Sequence, residues 1–258
     1  MPCMNCKKVV AGLILGLAAT SLTATAAFSV PLDIVNHSFE DDANTFNEFF
    51  FGNPTGWDLI DTGGIIGGGD LQGTLTVTGG NYFGGTAPDG DNVALIFLSG
   101  DVGTTEVGLG QTLSSTLTAN TDYTLSVDVG NINSGDATNG TFFDLSGFPG
   151  YRIELLAGGV LLAEDFELTD SPIGEGEFAL RELTFSTGAA PALLGQDLEI
   201  RLFNLNLADA NFSGADLEVD FDNVRLDASS NLEIPEPGAL ALFGLGLAGL
   251  GWSRRRSA

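Results

Sequence analysis

The chain alternates apolar and polar positions in short runs. Leu71 to Thr78 reads apolar, polar, apolar, polar, and Tyr123, Leu125, Val127 and Val129 alternate with Thr124, Ser126, Asp128 and Gly130. A period of two sends successive side chains to opposite faces of an extended strand, so one face of each run is built for burial. Comparable runs cover Leu32 to Asn36, Asn92 to Leu98, Tyr151 to Leu156, Val160 to Leu168, Leu180 to Phe185, Leu198 to Leu205 and Leu217 to Leu226. Gly, Asp, Asn and Pro separate them, and Ala157-Gly158-Gly159 reads as a hairpin turn. Between the two chain ends no segment holds a helical period for three turns. The pattern predicts an all-β fold, an antiparallel jelly-roll β-sandwich.

The last run carries an irregularity. Leu217, Val219 and Phe221 share one face, then Val224 and Leu226 continue in the opposite phase. Keeping them on one face requires one extra residue, which predicts a β-bulge near Asp222-Asn223. Just before it, Leu202, Leu207, Phe212 and Leu217 recur every five residues. That repeat is too short for a pentapeptide-repeat coil and reads as a loop between two strands. Gly67-Gly68-Gly69-Asp70 has neither a nonapeptide repeat nor a Lys-Ser/Thr partner, and reads as a glycine-rich surface loop.

Composition narrows the chemistry. Residues 27–233 hold 33 acids against four arginines (Arg152, Arg181, Arg201 and Arg225) and no lysine. Such a surface repels nucleic acid and anionic lipid. The 36 glycines suit turns and loops. The start of the chain reads as a signal peptide over 1–26: Lys7-Lys8, the apolar Val9 to Ala19, and a small-x-small site at Ala24-Thr25-Ala26. Cys3 and Cys6 leave with it, so the mature chain has no disulfide, thiolate nucleophile or sulfur-ligated metal. His37 is its lone histidine, with no Gly-x-Ser-x-Gly beside it, which argues against a Ser-His-Asp triad and a His-rich zinc site. Paired carboxylates for glycoside hydrolysis are present in number but mark no site. On these grounds the expectation is a non-enzymatic protein.

The far end, 234–258, reads as a sorting segment. Pro235-Glu236-Pro237 precedes an apolar run from Gly238 to Trp252 and the basic Arg254, Arg255 and Arg256. Fifteen residues make about 22 Å of helix at about 1.5 Å per residue, short of the roughly 30 Å of a bilayer core. The arginines belong on the cytoplasmic side, which places the acidic domain outside. This segment closely resembles the PEP-CTERM tail of Gram-negative surface proteins. The resemblance implies a short transmembrane helix, an inner-membrane intermediate, and processing beside the motif by an exosortase, a membrane cysteine transpeptidase, before release to the outer surface or extracellular matrix.

The region between, 27–233, carries three familiar phrases: Asn36-His37-Ser38-Phe39-Glu40 with Gly56-Trp57, Gln111-Thr112-Leu113 with Leu117 to Leu125, and Val219 to Leu226 with Asp222-Asn223-Val224 at its centre. Together they resemble galactose-binding-like jelly rolls, among them carbohydrate-binding modules. His37 stands where that family commonly has glycine, and a left-handed turn there is tolerated by histidine. The resemblance implies neighbouring first and last strands, and a structural calcium ion at Glu40 and Asp222 with Asp41 as helper. Calcium takes oxygen ligands, and these carboxylates have no lysine partner. Trp57 is expected in the core. Ligand contact is expected from exposed aromatics, with candidates in Phe49-Phe50-Phe51 and Tyr82-Phe83. The loop Ile132 to Pro149 offers the chosen set of Phe142, Phe143 and Phe148, followed by Tyr151. The sequence thus points to an exported protein whose sandwich binds exopolysaccharide. A self-associating structural envelope protein is the alternative, and an acidic polysaccharide hydrolase the third reading.

The tail generates one prediction. The mature surface form lacks the segment after Pro235-Glu236-Pro237, and intact-mass measurement of the exported protein shows no Arg254, Arg255 or Arg256.

Overall fold

The computed structural model describes residues 29–42, 49–77, 82–100 and 105–232. The signal segment, the Pro235-Glu236-Pro237 motif, the apolar run and Arg254 to Arg256 lie outside the described residues. Among the described residues no helix is long and apolar enough to cross a membrane.

The alternating runs become strands: β1 (Ser29–Leu32), β2 (Phe49–Phe51), β3 (Asp58–Ile60), β4 (Leu71–Thr76), β5 (Asn92–Leu98), β6 (Val107–Thr116), β7 (Thr121–Asn131), β8 (Gly135–Asp136), β9 (Phe142–Phe143), β10 (Tyr151–Ala157), β11 (Val160–Glu167), β12 (Glu177–Ser186), β13 (Asp197–Asn204) and β14 (Leu217–Ser230). One sheet has the order β12-β7-β14-β5-β4-β2, with β1 also pairing β14, and a second has the order β11-β10-β13-β6-β3. All these pairings are antiparallel. The predicted hairpin is β10–β11, closed by Gly158 and Gly159 at φ 57° and 76°, left-handed values that a two-residue turn of this kind requires.

The inner faces of the two sheets make one core. Leu217, Val219, Phe221, Val224 and Leu226 of β14 and the alternating set of β7 meet Ile153, Leu155, Leu198, Ile200 and Leu202 of the other sheet. β14 keeps its apolar residues inward across the phase change because of the bulge. Its register on β7 slips between Asp222 and Arg225, and Asn223 takes φ 53°. Asn204, fully buried, ties the layers by donating from Nδ2 to the carbonyls of Ile96 and Leu217 at 3.0 and 2.9 Å.

The opening phrase is a framework turn. β1 pairs β14, with Leu32 opposite Leu226, and the amide of Val224 donates to the carbonyl of His37. The left-handed residues are Asn36 and Phe39, at φ 51° and 59°, rather than His37. Asn is tolerant of that region. Phe39 is held there by burial, its ring 5.4 Å from that of Trp57. Trp57 is a core residue, and its Nε1 donates to the carbonyl of Asn36 at 3.3 Å. Trp57→Ala removes the ring against which this turn is set. It should cost about 3–5 kcal/mol of unfolding free energy, read from urea denaturation of the purified protein.

Candidate active site

A strand with one face in the core must send its other residues the opposite way. On β14 those residues are Glu218, Asp220 and Asp222, so three acids point to the outer face of the larger sheet. β5 beside it presents Val93, Leu95 and Phe97 on that face, since Ala94, Ile96 and Leu98 belong to the inner core. Glu218 stands opposite Phe97, and Asp220 lies between Leu95 on β5 and Gly130 on β7. Gly130 leaves room here: a Cβ on it would lie 2.6 Å from the Phe178 ring and 3.0 Å from Asp220 Cβ.

This outer face is covered. A second apolar cluster forms on it from Leu75, Val77, Tyr82, Phe83, Ala87, Val93, Leu95, Ile132 and Leu145, with Phe49, Leu71, Phe97, Phe143 and Phe178 packed against it. The loop from Ile132 to Pro149 folds back through the small β8–β9 pair and brings Phe143 and Leu145 over the sheet. Phe143 meets Phe97 edge-on at 5.7 Å, and Phe49 stacks on Phe51 at 5.7 Å and tilts against Tyr82 at 6.3 Å.

Between sheet and cover lies a cavity of about 190 Å³. Five aromatic rings (Phe49, Phe51, Tyr82, Phe97 and Phe143) and four aliphatic side chains line it, with Gly69 of the glycine-rich loop. Glu218 is the one acid among the lining residues. It is 5% exposed, and its Oε1 has no hydrogen-bond partner. Burial pushes its carboxyl up to about 8; the charge of Asp216 adds to this and a hydrogen bond with Asp220 opposes it. Asp220 is fully buried and its carboxyl is held well above the ordinary range, by burial first and then by Glu218. At neutral pH Glu218 is a neutral carboxylic acid aimed into an apolar chamber. Such a group can donate a proton to a bound molecule and take it back.

The residues expected at the site distribute as follows. Phe143 lines the cavity, as do Phe49, Phe51 and Tyr82. Phe142 points outward at 61% exposure, whereas Phe148 and Tyr151 are core residues at 3% and 0%. Strand alternation separates Phe142 from Phe143, and Tyr151 faces inward at the start of β10. Glu40 and Asp222 converge on one loop. Glu40 Oε1 accepts from the amides of Asp91 and Asn92 at 2.7 and 2.6 Å, and Asp222 Oδ2 accepts from the amide of Asp89 at 2.8 Å. Asp222 Oδ1 accepts from the amide of Asn223 at 2.6 Å. Asp41 is exposed, and its amide donates to Asn36 Oδ1. Among the described residues no three His, Cys, Asp or Glu side chains are placed to hold a metal. The Glu40 and Asp222 oxygens accept N–H donors of the Asp89–Asn92 loop and so clamp it to the β14 bulge. His37 is 48% exposed on its side chain, with Nδ1 3.9 Å from Asp89 Oδ2, and does not line the cavity.

Sequence reasoning missed Glu218 and Asp220. Their signal was present in Leu217-Glu218-Val219-Asp220-Phe221-Asp222: alternate acids on a strand whose other face is core, with no base beside them.

An apolar pocket with a buried acid in its wall is the shape of a small-molecule site rather than an open platform for sugar chains. The comparisons agree. The family described as HpiC1 cyclase matches residues 30–227, and the chain belongs to this HpiC1-like family. The PEP-CTERM protein-sorting motif matches 233–256. An apo cyclase from Fischerella sp. is 36% identical over 80% of this chain and 98% of its own, with a TM-score of 0.67. The Stig cyclase Fisc from Fischerella sp. TAU, in complex with (3Z)-3-(1-methyl-2-pyrrolidinylidene)-3H-indole, is 36% identical over 80% of this chain and all of its own, at 0.68. A cyclase from the same source in complex with 4-(1H-Indol-3-yl)butan-2-one is 37% identical over 79% and 100%, also at 0.68. No curated protein matches the chain.

Two expectations are thereby corrected. The middle region is a cyclase-family domain, and the reading of it as a carbohydrate-binding module fails. The expectation of a non-enzymatic surface protein, and its structural alternative, fail with it: the family and its ligand-bound members point to an enzyme. The physical reason lies in the phrases themselves. They specify the Phe39–Trp57 turn and the β14 bulge, which are framework and supply none of the residues lining the cavity. The sorting tail stands: the chain carries an exported protein's PEP-CTERM motif, with an exosortase as the implied processing partner.

The buried acids set a pH dependence. Glu218 and Asp222 each rise to about 8 from ordinary values of 4.5 and 3.8, both chiefly through burial. The folded state therefore holds these protons more tightly than the unfolded chain. The stability so gained is complete below the unfolded values and is lost as pH rises through about 8. Thermal unfolding should occur at lower temperature at pH 9 than at pH 6. Glu218→Gln, which cannot ionise, should flatten that difference in the same scans.

Proposed function

We propose that this chain is an exported cyclase acting on a small, apolar, unsaturated substrate with an aromatic ring system, and that Glu218 is its acid. The observation that carries the reading is the carboxyl of Glu218, buried and without a hydrogen-bond partner on Oε1, among five aromatic rings. A chamber of about 190 Å³ suits a bicyclic aromatic with a short substituent. The indole-bearing ligands of the Fischerella cyclases, at 36–37% identity, support an indole or a ring of similar size.

The chemistry is an isomerisation. Glu218 donates its proton to a carbon of a C=C bond in the bound molecule, leaving a carbocation on the neighbouring carbon. A second double bond or ring carbon of the same molecule attacks that cation and closes a ring. The resulting cation loses a proton to the Glu218 carboxylate, which restores the acid. Atoms and electrons balance without a co-reactant. The aromatic faces stabilise the passing positive charge through their quadrupoles. The apolar walls exclude water, which would otherwise capture the cation.

The test uses purified exported protein. 4-(1H-Indol-3-yl)butan-2-one should bind saturably in calorimetry, and Phe143→Ala should weaken it about tenfold by removing one wall. Against a panel of indole-bearing alkenes, ring-closed isomers of unchanged mass should form. Glu218→Gln should slow them about 10²–10⁴-fold, the usual worth of a positioned acid. Wild-type turnover by Glu218→Gln would overturn the assignment of the acid.

A further inference from the structure

Asp220 does not line the cavity, yet it is fully buried and neither of its carboxyl oxygens has a hydrogen-bond donor from any other described group. A buried, unpaired carboxyl costs several kcal/mol when charged, and a sheet would ordinarily place Val or Thr there. Asp220 sits two residues from Glu218 on the same face of β14. Its cross-strand neighbours are Leu95 and Gly130, neither of which can accept or donate through a side chain. The side chain packed over Gly130 is Phe178, which is equally inert. The ionisable groups around the pair are Asp216, which acts on Glu218, Tyr82 in the cavity wall, and Asp222 with Asp128 one strand step beyond. Among the described residues, Glu218 is a polar side chain that shares this face of β14 with Asp220. Two carboxylates cannot hydrogen-bond, so at least one of the pair carries a proton.

We infer that Asp220 is a positioning residue for Glu218: its protonated carboxyl donates to the Glu218 carboxyl and holds the acid toward the cavity. This rests on the reading of Glu218 as the acid. Its consequence is specific to turnover. When Glu218 has given up its proton it becomes a charged group in an apolar chamber. An O–H donor behind it stabilises that state while the cation forms in front. Asp220 makes the proton easier to deliver without touching the substrate. A hydrogen bond between the two would also oppose the upward push that burial exerts on Glu218.

The experiment compares wild type, Asp220→Asn, Asp220→Leu and Glu218→Gln. Asn keeps an N–H donor at the same place, whereas Leu fills the space and removes it. Affinity for 4-(1H-indol-3-yl)butan-2-one should stay within about threefold in both Asp220 variants, because Asp220 lies outside the cavity. For turnover of the indole-bearing alkenes, kcat should fall about 10–100-fold in Asp220→Leu at unchanged KM, and Asp220→Asn should recover most of it. Infrared difference spectra of the ligand-free protein give a readout independent of turnover. The carboxylic-acid C=O band of Glu218, identified by its loss in Glu218→Gln, should shift in Asp220→Leu and change little in Asp220→Asn. An unshifted Glu218 band and wild-type kcat in Asp220→Leu would overturn the inference while leaving Glu218 as the acid. Wild-type turnover by Glu218→Gln would instead remove the reading beneath it. Should Asp220→Leu fail to fold, Asp220→Asn decides: a band and kcat changed as far as a donor-free site requires would overturn the donor role, and near-native values would support it.

Discussion

The alternation of β14 is the constraint on which the molecule depends. Its apolar residues, carried past the bulge at Asn223, close the inner core against the second sheet. The geometry of a strand then leaves no choice about the rest: Glu218, Asp220 and Asp222 must face outward. In a sandwich with a wetted outer face they would be ordinary surface acids. Here the glycine-rich loop, β2 and the Ile132–Pro149 segment cover that face with rings, and the same acids are buried. The framework and the site are thus two faces of one strand.

That arrangement settles how the acids can be tolerated. Placing a charged carboxylate among Phe and Leu side chains costs far more than placing a neutral one, so burial drives protonation. Neighbouring charges push further in the same direction: Asp216 on Glu218, Glu218 on Asp220, and Asp89 with Asp128 on Asp222. The two that line the chamber or sit behind it lack N–H partners, whereas Asp222 is met by the amides of Asp89 and Asn223. A sandwich built only for stability would pair all three, as it pairs Arg152 with Glu106 and Glu154 on the other sheet. The unpaired ones mark where stability has been given up for chemistry.

Much of the framework was legible because it obeys short-range rules. Period two gave the strands, Gly158-Gly159 the hairpin, and the phase change between Phe221 and Val224 the bulge. Trp57 was recognisable as core. The site was not legible in the same way, since it depends on what lies over β14, and strand alternation says nothing about a cover made by loops. Glu218 is one acid among 33 in the region. What distinguishes it is its desolvation, a property of Tyr82, Phe97 and Phe143 brought from distant parts of the chain. Histidine and cysteine are reactive in water, whereas an acid made by burial needs only Glu and an apolar wall. Phe142 and Phe143 show the same limit: adjacent and chemically identical, they differ only in the strand face each takes.

The sorting tail and the chamber impose compatible demands. A protein that crosses the inner membrane leaves the soluble nucleotide and nicotinamide pools of the cell behind. Proton-initiated ring closure draws on neither, because Glu218 lends a proton and recovers it within one turnover. The acidic exterior does not disturb this, since surface charges are screened within about 10 Å of salt solution, whereas the pair of acids titrates in an environment set by its own walls. Apolar substrates of this size also partition toward membranes and matrices. The proposed reaction is therefore compatible with the export that the PEP-CTERM motif indicates, since it needs no more than the protein and its substrate.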